Sequence, residues 1–341
     1  MNKPVISIHR RQFLAGLPAI GLIAAHAVEV QPLEHIVFGS CLDTHEHPML
    51  DCTLTLPRDL FIFMGDNIYA DKGGIPMMQE KYALLKNSRF FRGLKNKPIL
   101  ATWDDHDFGL NDGGADCPIK KEAQVEFWNW LDEPAESPRR KQEGVYHAQI
   151  FGSAGKRVQI ILLDTRYFRS PMKKVAKDKA LIGGTSVPTD DESTTILGAA
   201  QWSWLEKVLK EPADLRIVVS SIQFAPEAHG GESWANFPHE KRRLLSLLKG
   251  QNALVLSGDR HWCEFSSDGV FDFTSSSMTQ KHPRGTPTPN KHRIVPKTYH
   301  LPNVGHLHID WSAATITVQV IGEDGEAKIE QRVQFTELQI R

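Results

Sequence analysis

The stretch Pro98-Ile99-Leu100-Ala101-Thr102-Trp103 runs straight into Asp104-Asp105-His106-Asp107. A short apolar run that stops at turn-forming residues reads as a buried strand. Here the stop consists of metal-ligand and proton-transfer residue types. The pattern recurs. Ile36-Val37-Phe38 ends at Gly39-Ser40-Cys41, residues 60–64 end at Gly65-Asp66, and residues 158–163 end at Asp164-Thr165-Arg166. Residues 215–219 end near Ser220-Ser221, and residues 253–256 end at Ser257-Gly258-Asp259-Arg260-His261. Helix-like stretches at 76–85, 120–131, 199–209 and 239–248 separate these runs. Alternating helices and continuously apolar strands predict an α/β fold whose strands are buried on both faces. In such sheets ligands gather at the carboxyl ends of the strands. Turn chemistry explains one or two aspartates there, but not several strand ends loaded with Asp, His, Cys and Arg. Near the end of the chain the pattern changes. Leu307, Ile309 and Trp311, then Ile316, Val318 and Val320, alternate with polar residues, which predicts antiparallel strands.

The chain has 341 residues, 40% hydrophobic and 24% charged, a composition that supports a real core. A formal net charge of −1 provides no field for nucleic acid or a membrane surface, and no stable partner of either kind is expected. The first 27 residues read as a targeting segment. Arg10-Arg11-Gln12-Phe13-Leu14 leads into an apolar run that closes on Ala25-His26-Ala27. That run is shorter than the roughly 20 residues a bilayer span needs. The paired arginines resemble a twin-arginine export signal. This predicts a signal at 1–27, a mature domain at 28–341, the twin-arginine export machinery as a partner, and a periplasmic or extracellular location reached in the folded state. The other reading is an uncleaved core helix. The four cysteines are Cys41, Cys52, Cys117 and Cys263. An oxidising compartment allows three disulfide pairings, and a metal-bound Cys41 would leave at most one disulfide.

Phosphoester hydrolysis explains why such residues converge. Phosphate repels a hydroxide nucleophile, whereas a pair of cations offsets its charge and lowers the pKa of bound water. A nearby acid then protonates the leaving oxygen, and an arginine fork holds phosphate oxygens. Ser40-Cys41, Gly65-Asp66-Asn67-Ile68-Tyr69, Trp103-Asp104-Asp105-His106-Asp107, Leu163-Asp164-Thr165-Arg166, Gln201-Trp202 with Trp204-Leu205-Glu206, and Gly258-Asp259-Arg260-His261-Trp262 occur in this order. This ordered set resembles the alkaline phosphatase D (PhoD-like) family of the calcineurin-like metallophosphatases, over Phe38 to about Ser277. The resemblance implies an α/β fold with a calcineurin-like β-sandwich flanked by helices, in α/β/β/α layers. It also implies hydrolysis of a small phosphomonoester or phosphodiester by metal-bound hydroxide.

Position by position, the resemblance implies metal ligation by Cys41, Asp66, Tyr69, Asp105, Asn111, Asp259 and His261, with Asp66 bridging. Cys41 also reads as a small buried residue or disulfide partner, Tyr69 as a packed aromatic, and Asn111 as a turn former. His106 falls at the family's catalytic histidine, as an acid or phosphate-binding group. Asp107 orients it or acts from further back. Arg166 binds phosphate, or else pairs with Asp164. Asp43 is a further residue near the site. Where the superfamily has an isolated ligand histidine, this chain offers Gln223. Gly305-His306-Leu307-His308 spells a ligand motif but lies in a period-two strand pattern, so these histidines read as structural. A thiolate with a phenolate suits Fe3+, and a harder site at Asp105 and Asn111 suits Ca2+ or another divalent cation. The polar stretches 170–195 and 280–302 read as solvated loops that can rim the site. Other functional classes are a phosphodiesterase or phospholipase-type hydrolase, a non-catalytic exported binding protein on the same fold, and an iron oxidoreductase built on Cys41 and Tyr69.

Overall fold

The computed structural model describes residues 31–282 and 288–341; the export segment expected at 1–27 lies outside them. The elements are β1 (His35–Gly39), α1 (Pro48–Thr55), β2 (Leu60–Met64), α2 (Gly74–Asn87), α3 (Arg89–Leu94), β3 (Ile99–Thr102), α4 (Asp105–Phe108) and α5 (Lys120–Trp130). There follow β4 (His147–Phe151), β5 (Val158–Leu162), α6 (Gly198–Val208), β6 (Leu215–Ser220), α7 (Pro238–Leu248), β7 (Ala253–Ser257), β8 (Cys263–Ser267), β9 (Phe271–Ser275), β10 (Asn303–Asp310), β11 (Thr315–Gly322), β12 (Ala327–Gln334) and α8 (Phe335–Leu338).

The strands form two six-stranded sheets, ordered β12-β11-β10-β1-β2-β3 and β4-β5-β6-β7-β9-β8. In the first, β1, β2 and β3 are parallel and β10 joins β1 antiparallel. In the second, β5, β6, β7 and β9 are parallel, with β4 and β8 antiparallel at the edges. Strand side chains alternate between faces, and the core divides accordingly. Ile36, Phe38, Leu60 and Ile62 of the first sheet meet Ile160, Leu162, Ile217 and Leu254 of the second. On its other face the first sheet turns Val37, Phe61 and Phe63 towards residues of α2, α3 and α5. Ile161, Val218 and Val255 of the second sheet do the same towards α6 and α7. The result is the α/β/β/α layering, and it explains why the central strands are apolar on both faces. Among the described residues no helix is long and apolar enough to cross a membrane.

Parallel strands put their carboxyl ends on one edge, so the loops after β1, β2, β3, β5, β6 and β7 meet there. Two glycines permit the approach. A Cβ on Gly65 (φ +108°) would stand 2.6 Å from Asp104 Cβ, and one on Gly258 would stand 2.5 Å from Ser40 Oγ. The second contact joins the end of β7 to the end of β1, across the two sheets.

Phe63 is fully buried and packs edge-on against Phe61, Phe90 and Trp130. Phe63→Ala should destabilise the fold by about 3–5 kcal/mol. Urea unfolding checks this, and a loss below about 1 kcal/mol would contradict the packing described.

Candidate metal centre

The loop residues that follow the strands adopt an uncommon backbone. Cys41 (φ 61°), Asp66 (φ 50°), Asp259 (φ 76°) and His261 (φ 58°) all lie in the left-handed region without being glycine. Such conformations cost on the order of 1 kcal/mol each and gather at functional sites. Local hydrogen bonds hold them. Cys41 N–H donates to Gly65 O, Leu42 N–H to Asp66 O, and Gly258 N–H to Ser221 O. The Asp107 carboxylate accepts from the backbone N–H groups of Asp66, Asn67 and Asp104. It therefore ties the β2 and β3 loops together.

The side chains converge in overlapping groups. The donor atoms of Cys41, Asp66 and His261 lie within 4.8 Å of one another, as do those of Asp66, Asp105 and His106, and of Asp104, Asp105 and Asp259. Asp66 belongs to two of these groups. Its Oδ2 faces Cys41 Sγ at 3.5 Å and Tyr69 Oη at 3.3 Å, while Oδ1 accepts from His106 N–H at 3.3 Å. Tyr69 Oη is also 2.9 Å from His261 Nε2. A thiol, a phenol, an imidazole and a carboxylate thus share one corner, and His106 with the carboxylates of Asp104, Asp105 and Asp259 lies next to it.

The electrostatics are those of a site built for cations. Burial, reinforced by Asp105 and Asp104, pushes the Asp66 carboxyl well above its ordinary range. Burial and Asp104 push Asp259 up likewise, against the pull of Arg260. Asp104 rises to about 6, chiefly from burial although Arg166 opposes it, and Asp107 rises to about 7 from burial. Asp105 is lowered, because Arg166 and His106 outweigh its burial. Burial and the charge of His106 lower His261 to about 4, which leaves its imidazole neutral, as a ligand must be. Asp104 Oδ2, Asp105 Oδ1 and Asp259 Oδ2 are buried without a hydrogen-bond partner. Buried carboxylate oxygens of this kind are rare unless something positive meets them, so the residues present fit metal ions.

Several expected residues stand elsewhere. The carboxylate on His106 is Asp71, at 2.7 Å from Nδ1, and not Asp107, which is occupied with the loop backbone. Arg166 is fully buried and ion-paired to Asp104 and Glu232, both at 2.5 Å. Asp164 accepts from the Arg166 backbone N–H, at 2.9 Å, and from those of Tyr167 and Val145. The guanidinium therefore serves the carboxylate cluster, and zero exposure leaves it no face for phosphate. Asn111 is exposed; its neighbour Asp112 approaches the cluster instead, with N–H on Asp105 Oδ2 at 2.8 Å and a donor group shared with Asp105 and Glu232. Asp43 is exposed, and its N–H donates to Thr279 Oγ1. Gln223 is buried and donates to Glu264 and Thr274. His306 and His308 lie on β10 and stack with His35, outside the donor groups. All four cysteines are free thiols. Sequence reasoning passed over Asp71, Asp112 and Glu232. Glu232 follows Gly230-Gly231 far from any strand end, and nothing in its local pattern marks it.

Two stacked sheets whose strand ends hold a cation-seeking cluster define a metallophosphatase. The model of the PhoD-like phosphatase family matches residues 78–288, and the chain belongs to that family. Asp105, Asp259 and His261 fall inside the matched span, whereas Cys41, Asp66 and Tyr69 precede it. Among solved structures the chain is similar to PhoD, at 16% identity over 89% of this chain and 69% of that one, with a TM-score of 0.68. It is also similar to a dimetal phosphatase from Danio rerio, at 11% identity over 89% of this chain and 100% of that one, with a TM-score of 0.56. A third similarity is to GAP50, the anchor in the inner membrane complex of Plasmodium, at 14% identity over 89% of each chain, with a TM-score of 0.56. These structures bear out the fold. A comparison with curated proteins finds no match. The protein is a metal-dependent phosphoesterase.

The raised carboxyls make a stability prediction for protein stripped of metal by a chelator. A folded pKa above the unfolded 3.8 means that the folded state binds the extra proton, so stability falls as pH rises through the window from 3.8 to about 6 for Asp104 and about 7 for Asp107. The stripped protein should melt at a lower temperature at about pH 8 than at about pH 5, and restoring metal should close the gap. Scanning calorimetry checks this, and a stripped protein that gains stability over that window would contradict the charge balance described.

Proposed function

We propose that the chain is an exported phosphoester hydrolase whose metal ions are bridged by Asp66, with iron on the Cys41 side and calcium or a similar hard cation on the Asp105 side. The observation that carries this reading is the double membership of Asp66. One of its donor groups holds the Cys41 thiol and the His261 imidazole with Tyr69 alongside, and the other holds the Asp105 carboxylate and His106, next to the all-carboxylate group of Asp104, Asp105 and Asp259. Thiolate, phenolate and imidazole favour a transition metal such as ferric iron. Asp105, with Asp104, Asp259 and Asp112 around it, provides the all-oxygen set a hard cation takes. When bound, such ions supply the Lewis acidity that brings water towards hydroxide and offsets phosphate charge.

The chain's own residues do the rest. His106 is the proton donor. Burial lowers its pKa, but Asp105 and Asp71 outweigh that and hold it above the ordinary value. With Nδ1 turned to Asp71, Nε2 is the nitrogen left to protonate the leaving alkoxide. Asp71 fixes the ring, and Asp107 keeps the β2 and β3 loops in register beneath it. Arg166, together with Arg169 on Glu232 at 2.9 Å, balances carboxylate charge that the ions do not take. The substrate is a small phosphomonoester or phosphodiester. Export rests on Arg10-Arg11 placed directly before the apolar run that closes on Ala25-His26-Ala27.

Asp66→Ala should remove most turnover, by about a hundredfold or more, and lower the content of both metals, because one carboxylate serves both positions. Tyrosinate on ferric iron absorbs visible light, so purified protein should be coloured and Tyr69→Phe should bleach or shift that colour. Kinetics, elemental analysis and a visible spectrum on the same preparations decide the matter. Normal turnover and metal content in the Asp66 variant would end the bridging assignment, and active, iron-free, colourless protein would end the iron assignment. Separately, replacing Arg10 and Arg11 together by lysine should leave folded protein unexported. Cell fractionation showing wild-type export and trimming would overturn that reading.

A further inference from the structure

Of the arginines beside the carboxylate cluster, Arg166 and Arg260 differ in what they have left to offer. Arg166 has no exposed surface and is closed off by Asp104 and Glu232. Arg260 lies between the two left-handed residues Asp259 and His261, with its side chain 15% exposed. Among the described residues its single ion pair is with Asp259, Nη1 to Oδ2 at 3.5 Å, a distance too long for a hydrogen bond of normal strength. Its Nε is buried and makes no hydrogen bond. The guanidinium lies over the Trp262 ring, 4.7 Å from the centroid, a cation–π contact that favours its place there. The loop opposite makes room for it: a Cβ on Gly231 would stand 2.6 Å from Arg260 Nη1. The group is therefore packed, partly open and short of acceptors. Its ion-pair partner among the described residues, Asp259, belongs to the metal-donor cluster, so ions bound there would compete with Arg260 for the same carboxylate. A planar fork of donors beside a cation centre matches the non-bridging oxygens of a phosphoryl group.

We propose that Arg260 is the substrate-binding arginine of this site, gripping the non-bridging oxygens of the phosphoryl group with a guanidinium placed over Trp262 and seated against Gly231. The proposal rests on the phosphoesterase site described above. It gives the phosphate-binding role to the arginine inside the Gly258-Asp259-Arg260-His261 turn rather than to Arg166. Because its partner is the phosphoryl group and not the alcohol, it holds for monoesters and diesters alike.

The test uses metal-loaded full-length protein as wild type, Arg260→Gln and Arg260→Lys. Three quantities are measured: metal content, binding of inorganic phosphate by calorimetry, and KM for p-nitrophenyl phosphate. Loss of a charge-assisted hydrogen bond is expected to weaken phosphate binding and raise KM by roughly ten- to hundredfold in the glutamine variant. Metal content should be unchanged, and lysine should restore part of the loss, since it keeps the charge without the fork. Wild-type phosphate affinity in Arg260→Gln would overturn the proposal. Loss of metal in either variant would also overturn it, because Arg260 would then be a support for Asp259. If Arg260→Gln does not fold, the lysine variant decides: unchanged phosphate affinity and KM overturn the proposal, and a rise in both upholds it. Should wild type hydrolyse no phosphoester, the functional reading fails, and the phosphate titration still judges Arg260 on its own.

Discussion

The structure depends on one unfavourable fact: several carboxylates share a buried space. Asp66, Asp104, Asp105 and Asp259 are each less than half exposed, Asp66, Asp104 and Asp105 almost completely buried, and each raises the cost of ionising its neighbours. The surrounding architecture answers that repulsion. Arg166 and Arg169 bring positive charge from beneath, joined through Glu232. Asp107 directs its carboxylate to three backbone N–H groups, and burial with mutual repulsion raises the pKa values of Asp66, Asp104 and Asp259. A hydrophobic replacement of the same volume would stabilise the fold more readily than this cluster does. Its retention follows from what a phosphoester needs.

The sandwich supports this by geometry. Parallel β1, β2 and β3 deliver Cys41, Asp66 and Asp105 to one edge, and parallel β5, β6 and β7 deliver Arg166, Ser221 and Asp259 to the same edge. Left-handed turns at Cys41, Asp66, Asp259 and His261 redirect each chain sharply after its strand ends. The cost of those turns is borne by the flanking strands, which are buried throughout: β2, β5, β6 and β7 show no exposed residue.

Much of this was legible in the sequence, for definite reasons. The central strands read clearly because burial on both faces leaves an unbroken apolar run, and the strand-end residues read clearly because their types are chemically distinctive. The helix expected at 120–131 is α5, Lys120–Trp130, and that at 239–248 is α7, Pro238–Leu248. The edge strand β12, Ala-Lys-Ile-Glu-Gln-Arg-Val-Gln, escaped notice because one face is solvated and carries charge. Strand β8 escaped because Glu264 and Ser266 are buried polar residues that bond to neighbouring side chains. The site was legible only where partners lie close in the chain. Asp71 and His106 are 35 residues apart, and no local pattern announces that they touch. The nearer Asp107 was therefore the natural choice, although its position on α4 turns it towards the backbone.

The contact between Gly258 and Ser40 has a consequence for the order of events during folding. Cys41 and Asp66 belong to the first sheet and His261 to the second, so the thiol-bearing donor group does not exist in either sheet alone. It comes into being when the two layers stack and Gly258 seats against Ser40. An ion that needs all three residues would therefore find its place only once the two layers have stacked, and would join residues far apart in the chain. A half-assembled molecule has no complete place to put that ion.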